Sequence, residues 1–139
     1  FRTLRLKKKI LAGADFVQTQ CIFNVPKFKK RMEMVRAEGL QPEIKILPGI
    51  TPIKSAGMAK YMKNFVPGMD VPQEIVERIA AQEKGAPQQA EGKKLAVEMI
   101  KELAEVEGVA GVHIMAVEWE PAVPEIVETA GLLPRPAVA

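Results

Sequence analysis

The chain has one cysteine, one histidine, one tryptophan and one tyrosine among 139 residues, and each scarcity closes off a class of protein. Cys21 alone cannot make an internal disulfide, so a disulfide-stapled secreted module is excluded and a cytoplasmic location is expected. His113 has no second ligand at a suitable spacing, and no metal site is expected. No apolar run approaches the roughly 18 residues that a spanning helix requires, so no membrane span is expected. The first residues lack the apolar core and cleavage site of a signal peptide.

What is present fits one globular domain: 47% of residues are apolar and 27% charged. The net charge of +3 comes with basic clusters at Lys7-Lys8-Lys9 and residues 27–31. Both lie on predicted helices whose other face is apolar, so a solvated helix surface accounts for them and no nucleic-acid partner is expected. The chain begins at Phe1 inside a helical pattern, and a fragment or incomplete chain is expected.

Leu4, Leu6, Ile10 and Leu11 recur at near-helical spacing, and Gly13 stands where a helix would end in a left-handed residue. A strand over residues 16–23 follows. Asn24 is a good N-cap with Pro26 in the first turn, and Phe28, Met32 and Val35 form the apolar stripe of a helix that Gly39 stops. A second strand is predicted over residues 43–47, bounded by Pro42 and Pro48. The loop Pro48-Gly49-Ile50-Thr51-Pro52-Ile53 leads to a helix capped by Ser55 and carrying Met58, Tyr61, Met62 and Phe65. After a break at Pro67-Gly68, Asp70 is the expected cap of a helix opened by Pro72. Gly85-Ala86-Pro87 separates that helix from a longer one over residues 89–107, striped by Leu95, Met99, Leu103 and Val106. A third strand over residues 111–117 and a helix over 124–130 precede a Pro-rich tail.

The order α-β-α-β-α-α-α-β-α implies an α/β fold with three parallel strands and right-handed crossovers. All-parallel sheets occur almost only with both faces covered, which three strands backed by helices on one side do not achieve. Closure into a barrel removes the bare face and takes about eight strands. The expected fold is therefore a partial (β/α)8 TIM barrel, with residues 1–139 as one portion of it.

The first strand is unusually polar. Gln18, Thr19 and Gln20 stand among apolar residues, and a buried amide without partners costs roughly 1–3 kcal/mol. A ligand is expected to meet this strand.

These residues resemble a known family. Lys9 to Gln20, reading KILAGADFVQTQ, with Phe23 and a helix after it, resembles the sixth-strand region of methylenetetrahydrofolate reductases. Pro48-Gly49-Ile50-Thr51-Pro52-Ile53 is similar to that family's seventh-strand loop. Val71-Pro72-Gln73-Glu74-Ile75, the helix over 92–103 and Gly111-Val112-His113 follow in the family's order. The resemblance implies the carboxyl-terminal part, the last three strands, of an FAD-binding (β/α) barrel. That enzyme reduces methylenetetrahydrofolate to methyltetrahydrofolate, with a reduced nicotinamide or another electron donor. By position it implies that Gln20 binds the folate substrate and that Lys9 contacts the flavin cofactor. The family's general-acid glutamate and flavin-neighbouring aspartate belong to earlier strands, so no catalytic residue is expected in this chain. Ala56 stands where the family often has a bulky aromatic, which implies an altered substrate site.

Other candidates read as structural. His113 lies inside an apolar strand, Cys21 has no nearby base in sequence, and Glu118 and Glu120 flank Trp119 at a strand end where carboxylates are commonly solvated. The alternative to a reductase segment is a catalytically inert partial barrel acting as an interaction or oligomerisation subunit. Its bare sheet face would be covered by a second copy or by a partner chain.

Overall fold

The computed structural model describes residues 2–41 and 43–135, with only the backbone of Arg2. Pro42, expected to bound the second strand, and the end of the Pro-rich tail lie outside the described residues. The chain opens with α1 (Arg2–Leu11), β1 (Phe16–Cys21) and α2 (Val25–Ala37), followed by β2 (Lys45–Ile50). Three helices come next, α3 (Ala56–Phe65), α4 (Gln73–Ala80) and α5 (Ala86–Ala104). Strand β3 (His113–Ile114), a 3-10 turn (Glu120–Ala122) and α6 (Val123–Thr129) complete it.

The helix ends follow from local chemistry. The Gly13 N–H donates to Ile10 O at 2.9 Å and the Ala14 N–H to Lys9 O at 3.0 Å, while Gly13 takes φ 92°. That pair of bonds closes α1 and needs a left-handed residue, which glycine adopts without a Cβ penalty. Only Leu6 and Ile10 of α1 pack on the core; Leu4 and Leu11 are exposed. The expected caps at Asn24 and Ser55 are present, their side-chain oxygens accepting from Lys27 N and Met58 N.

The three strands are parallel in the order β1-β2-β3, with β2 in the centre. Helix-side residues Ile46 and Ile50 join Phe28 and Met32 of α2, Met99 and Leu103 of α5 and Ile126 of α6 in one buried cluster. The other face is open where β1 and β2 begin: Phe16 is 56% exposed, its partner Lys45 and neighbour Gln18 are exposed, and Leu47 is half-buried.

Several boundaries differ from expectation, and β1 ends at Cys21 where a strand to residue 23 is expected. Strand β2 runs through Pro48 and Gly49 instead of stopping before them, because it is paired on both sides. Ile46 O accepts from Ala110 N and Ile50 O from Met115 N, so by alternation Pro48 also turns toward β3, where it has no N–H to give. The ladder is broken there, and β3 shrinks from the expected seven residues to two. Helix α5 starts earlier, with Pro87 in its first turn, where a missing N–H is harmless. Tyr61 and Phe65 of α3 do not join the core: they are 60% and 70% exposed, and Ala59 and Met62 are buried instead.

Helix α5 packs directly on the segment leaving β2. A Cβ on Gly92 would lie 1.8 Å from Ile53 O, so only a residue without a side chain allows this approach.

Candidate functional site

The carboxyl end of β1 is irregular, and the irregularity presents its amide. Gln18 pairs with Leu47 but Cys21 pairs with Gly49, so β1 carries one residue more than β2 between those points. Thr19 repairs the ladder: its Oγ1 accepts the Gly49 N–H at 3.1 Å and donates to Gln20 O at 2.7 Å. The bulged backbone lies so close that a Cβ on Gly49 would sit 2.9 Å from Thr19 O. Gln20 is exposed, and its Oε1 accepts from Cys21 N at 3.1 Å. Its Nε2 meets no acceptor among the described residues.

Strict alternation would turn Gln18 to the same side as Gln20. The extra residue breaks that rule, and the two amides line different hollows. Gln18 lies with Phe16 and the turn after α1, whereas Gln20 lies in a cleft with Asn24, Lys27, Phe28 and Asp70. The cleft has a volume of about 380 Å³ and opens between β1, the start of α2 and the α3–α4 connection.

Asp70 does not cap α4; Pro72 holds the cap position without a side-chain bond. The carboxylate is engaged elsewhere: its Oδ2 accepts from Lys27 Nζ at 2.6 Å and from Asn24 Nδ2 at 3.2 Å. The Lys27 hydrogen bond holds the Asp70 carboxyl below its ordinary range. Asn24 works at both ends, since its Oδ1 accepts the Lys27 N–H at 3.0 Å. Sequence reasoning missed this cluster, in which Asp70 lies more than forty positions from Asn24 and Lys27 and carries no local signal of them.

Lys9 is exposed in the last turn of α1, and with Gln20 it lines a second cavity of about 460 Å³ floored by Phe28, Met32 and Ile46. The two residues singled out for flavin and folate therefore border one hollow.

The remaining candidates are placed as structure. Cys21 is buried, its Sγ lies 2.7 Å from Thr51 Oγ1, and burial pushes the thiol above its ordinary range. His113 is half-buried in β3 opposite Gly49. Glu118 and Glu120 are exposed, and Trp119 between them packs on the core. Ala56 donates its N–H to Gln88 Oε1 at 3.1 Å, and Gln88 Nε2 donates to Gln82 O at 3.1 Å. Gln88 is buried and ties α3 to the α4–α5 turn; its place on the stripe of Gly92, Leu95 and Met99 was the signal that could have found it. Among the described residues no group of three or more His, Cys, Asp or Glu could hold a metal ion. No helix of the described residues is long and apolar enough to cross a membrane.

The fold and the cleft define an α/β chain of parallel strands with a polar pocket at the carboxyl end of its first strand, where such folds place ligands. The chain belongs to the methylenetetrahydrofolate reductase family, which it matches over residues 2–131. It is 32% identical over 133 residues to methylenetetrahydrofolate reductase 1 of Schizosaccharomyces pombe, covering 92% of this chain and 21% of that protein. It is 32% identical over 131 residues to methylenetetrahydrofolate reductase 2 of Saccharomyces cerevisiae, covering 93% of this chain and 21% of that one. The chain thus spans about 21% of the length of these relatives.

Proposed function

We propose that residues 1–139 form the carboxyl-terminal portion of a cytoplasmic (β/α)8 barrel, contributing its last three strands. The barrel binds FAD and reduces methylenetetrahydrofolate to methyltetrahydrofolate, drawing on a reduced nicotinamide or another electron donor. Family membership, parallel strands joined through helices and the open sheet face support this reading. The single observation that carries it is Gln20, an exposed amide on a bulge at the carboxyl end of β1.

The chemistry suits the role. A primary amide offers a donor and an acceptor side by side, which matches the edge of a pterin. Gln20 Oε1 accepts from Cys21 N, so engaging a pterin exchanges one neutral hydrogen bond for another and costs little. Lys9, at the cavity that Gln20 shares, supplies a mobile positive charge for the flavin. Bound flavin supplies the redox step, and this chain's residues bind and orient.

Placing this chain in the S. pombe relative, in exchange for the matching segment, tests the reading. Gln20→Ala in that chimera should raise the folate KM about tenfold or more, the loss of one or two hydrogen bonds. Lys9→Ala should weaken flavin retention and leave the folate KM nearly unchanged. Full folate turnover in Gln20→Ala would overturn the assignment.

A second reading, an inert interaction or oligomerisation subunit, draws on the exposed Phe16 of the open sheet face. Gln18 and Lys45 beside it are exposed as well and make that face a poor apolar interface. Sedimentation of the chain decides: a second copy or a partner covering the face requires self-association or a stable complex, and a monodisperse monomer opposes it.

A further inference from the structure

We propose that Asp70 is a positioning residue for the Gln20 cleft, holding Asn24 and Lys27 at its mouth in the arrangement that admits the heterocyclic substrate. The proposal rests on the reading of Gln20 as the substrate contact. Three observations converge on it. One carboxylate oxygen of Asp70 accepts from both Lys27 Nζ and Asn24 Nδ2, bridging the α3–α4 connection to the first turn of α2. All three residues line the same cleft as Gln20. Asp70 leaves the neighbouring α4 uncapped, so its carboxylate serves the cleft in place of the nearer helix terminus.

The surroundings separate positioning from stability. The connection is anchored without Asp70, because Val71 is 4% exposed in the core and Met69 N donates to Val66 O at 3.3 Å. The ion pair itself is solvated, with side chains 60% and 47% exposed, and pairs of that kind contribute little to folding. What Asp70 does fix is direction. It orients the Asn24 amide whose other end caps α2, and it holds the Lys27 ammonium at the rim. Without it, Lys27 is released to swing across the cleft and Asn24 Nδ2 loses its acceptor.

Titrating the chain with methyltetrahydrofolate, read by the side-chain amide resonances of Gln20 and Asn24 in the NMR spectrum, tests the proposal. In the intact chain both resonances should shift together to saturation. Asp70→Asn should weaken binding about threefold to fivefold, the upper end of what a half-exposed ion pair carries. The Gln20 shift should persist and the thermal midpoint should stay unchanged, and Asp70→Glu should recover most of the affinity. Equal affinity in Asp70→Asn, or a parallel fall in its thermal midpoint, overturns the positioning role and leaves Gln20 in place. A silent Gln20 resonance in the intact chain overturns the substrate contact and this proposal with it.

Discussion

Thr19 Oγ1 stands 3.1 Å from the Gly49 amide nitrogen, a side-chain oxygen taking the place of a strand carbonyl in the β1–β2 ladder. The bulge that presents Gln20 depends on that bond. Thr19→Val keeps the shape and removes the acceptor, leaving the buried Gly49 N–H unpaired at a cost of about 1–3 kcal/mol. Urea unfolding should show that loss, with faster hydrogen exchange at the Gly49 amide, and Thr19→Ser should restore both. A Thr19→Val protein as stable as the parent would remove Thr19 from the ladder.

Gly92→Ala should be among the most damaging single methyl additions in the chain. The new carbon would lie 1.8 Å from Ile53 O, and a backbone oxygen cannot rotate aside as a side chain can. Overpacking of this kind costs typically about 1–3 kcal/mol, and here the upper end or beyond is expected because helix α5 must lift from the β2 exit. Thermal denaturation of Gly92→Ala beside Gly57→Ala makes the comparison. The Gly57 control is mild, its nearest non-neighbouring atom being Ser55 Oγ at 3.7 Å.

Cys21 should resist alkylation. Burial raises its thiol above the ordinary range, outweighing the Thr51 hydrogen bond that lowers it, and the thiolate is the reactive form. Iodoacetamide at about pH 8, near the ordinary thiol range, should label the native chain far more slowly than the urea-unfolded chain. Equal rates would show a thiol open to solvent.

Arg78 joins α4 to α5, with Nε 2.5 Å from Glu91 Oε1 and its two terminal nitrogens 2.6 and 3.0 Å from the Glu98 carboxylate. The Arg78 hydrogen bond holds the Glu98 carboxyl below its ordinary range and outweighs burial, which acts the other way. A carboxyl whose folded-state value is depressed contributes stability that is present above its unfolded value. That contribution is lost as the pH falls through the folded one. Denaturation midpoints should therefore decline as the pH drops below about 4.3, the ordinary glutamate value. Arg78→Met should flatten that part of the decline and cost less than about 1 kcal/mol near neutrality, since solvent screens the partly exposed pair. An unchanged acid slope would assign it to other carboxylates.

Much of the architecture is written in local chemistry. Element order, the caps at Asn24 and Ser55, the stops at Gly13 and Gly39 and the α5 stripe depend on neighbours a few positions away, and the sequence shows those directly. The family's motifs are equally local, and the resemblance they carry points to Gln20 and Lys9 from the sequence alone. Long-range pairing had no such signature. The two-residue β3 depends on Pro48 facing it from the next strand, and the release of Asp70 from helix capping depends on Asn24 and Lys27. The separate settings of Gln18 and Gln20 follow from a bulge that exists only because Gly49 lies beside Thr19. The sequence by itself determined which segments fold and where the exposed amide Gln20 stands along the chain. Only the tertiary structure decided which polar groups meet, because hydrogen bonds across thirty or more positions are set by strand register and by the packing of connections, and leave no periodic trace in the chain.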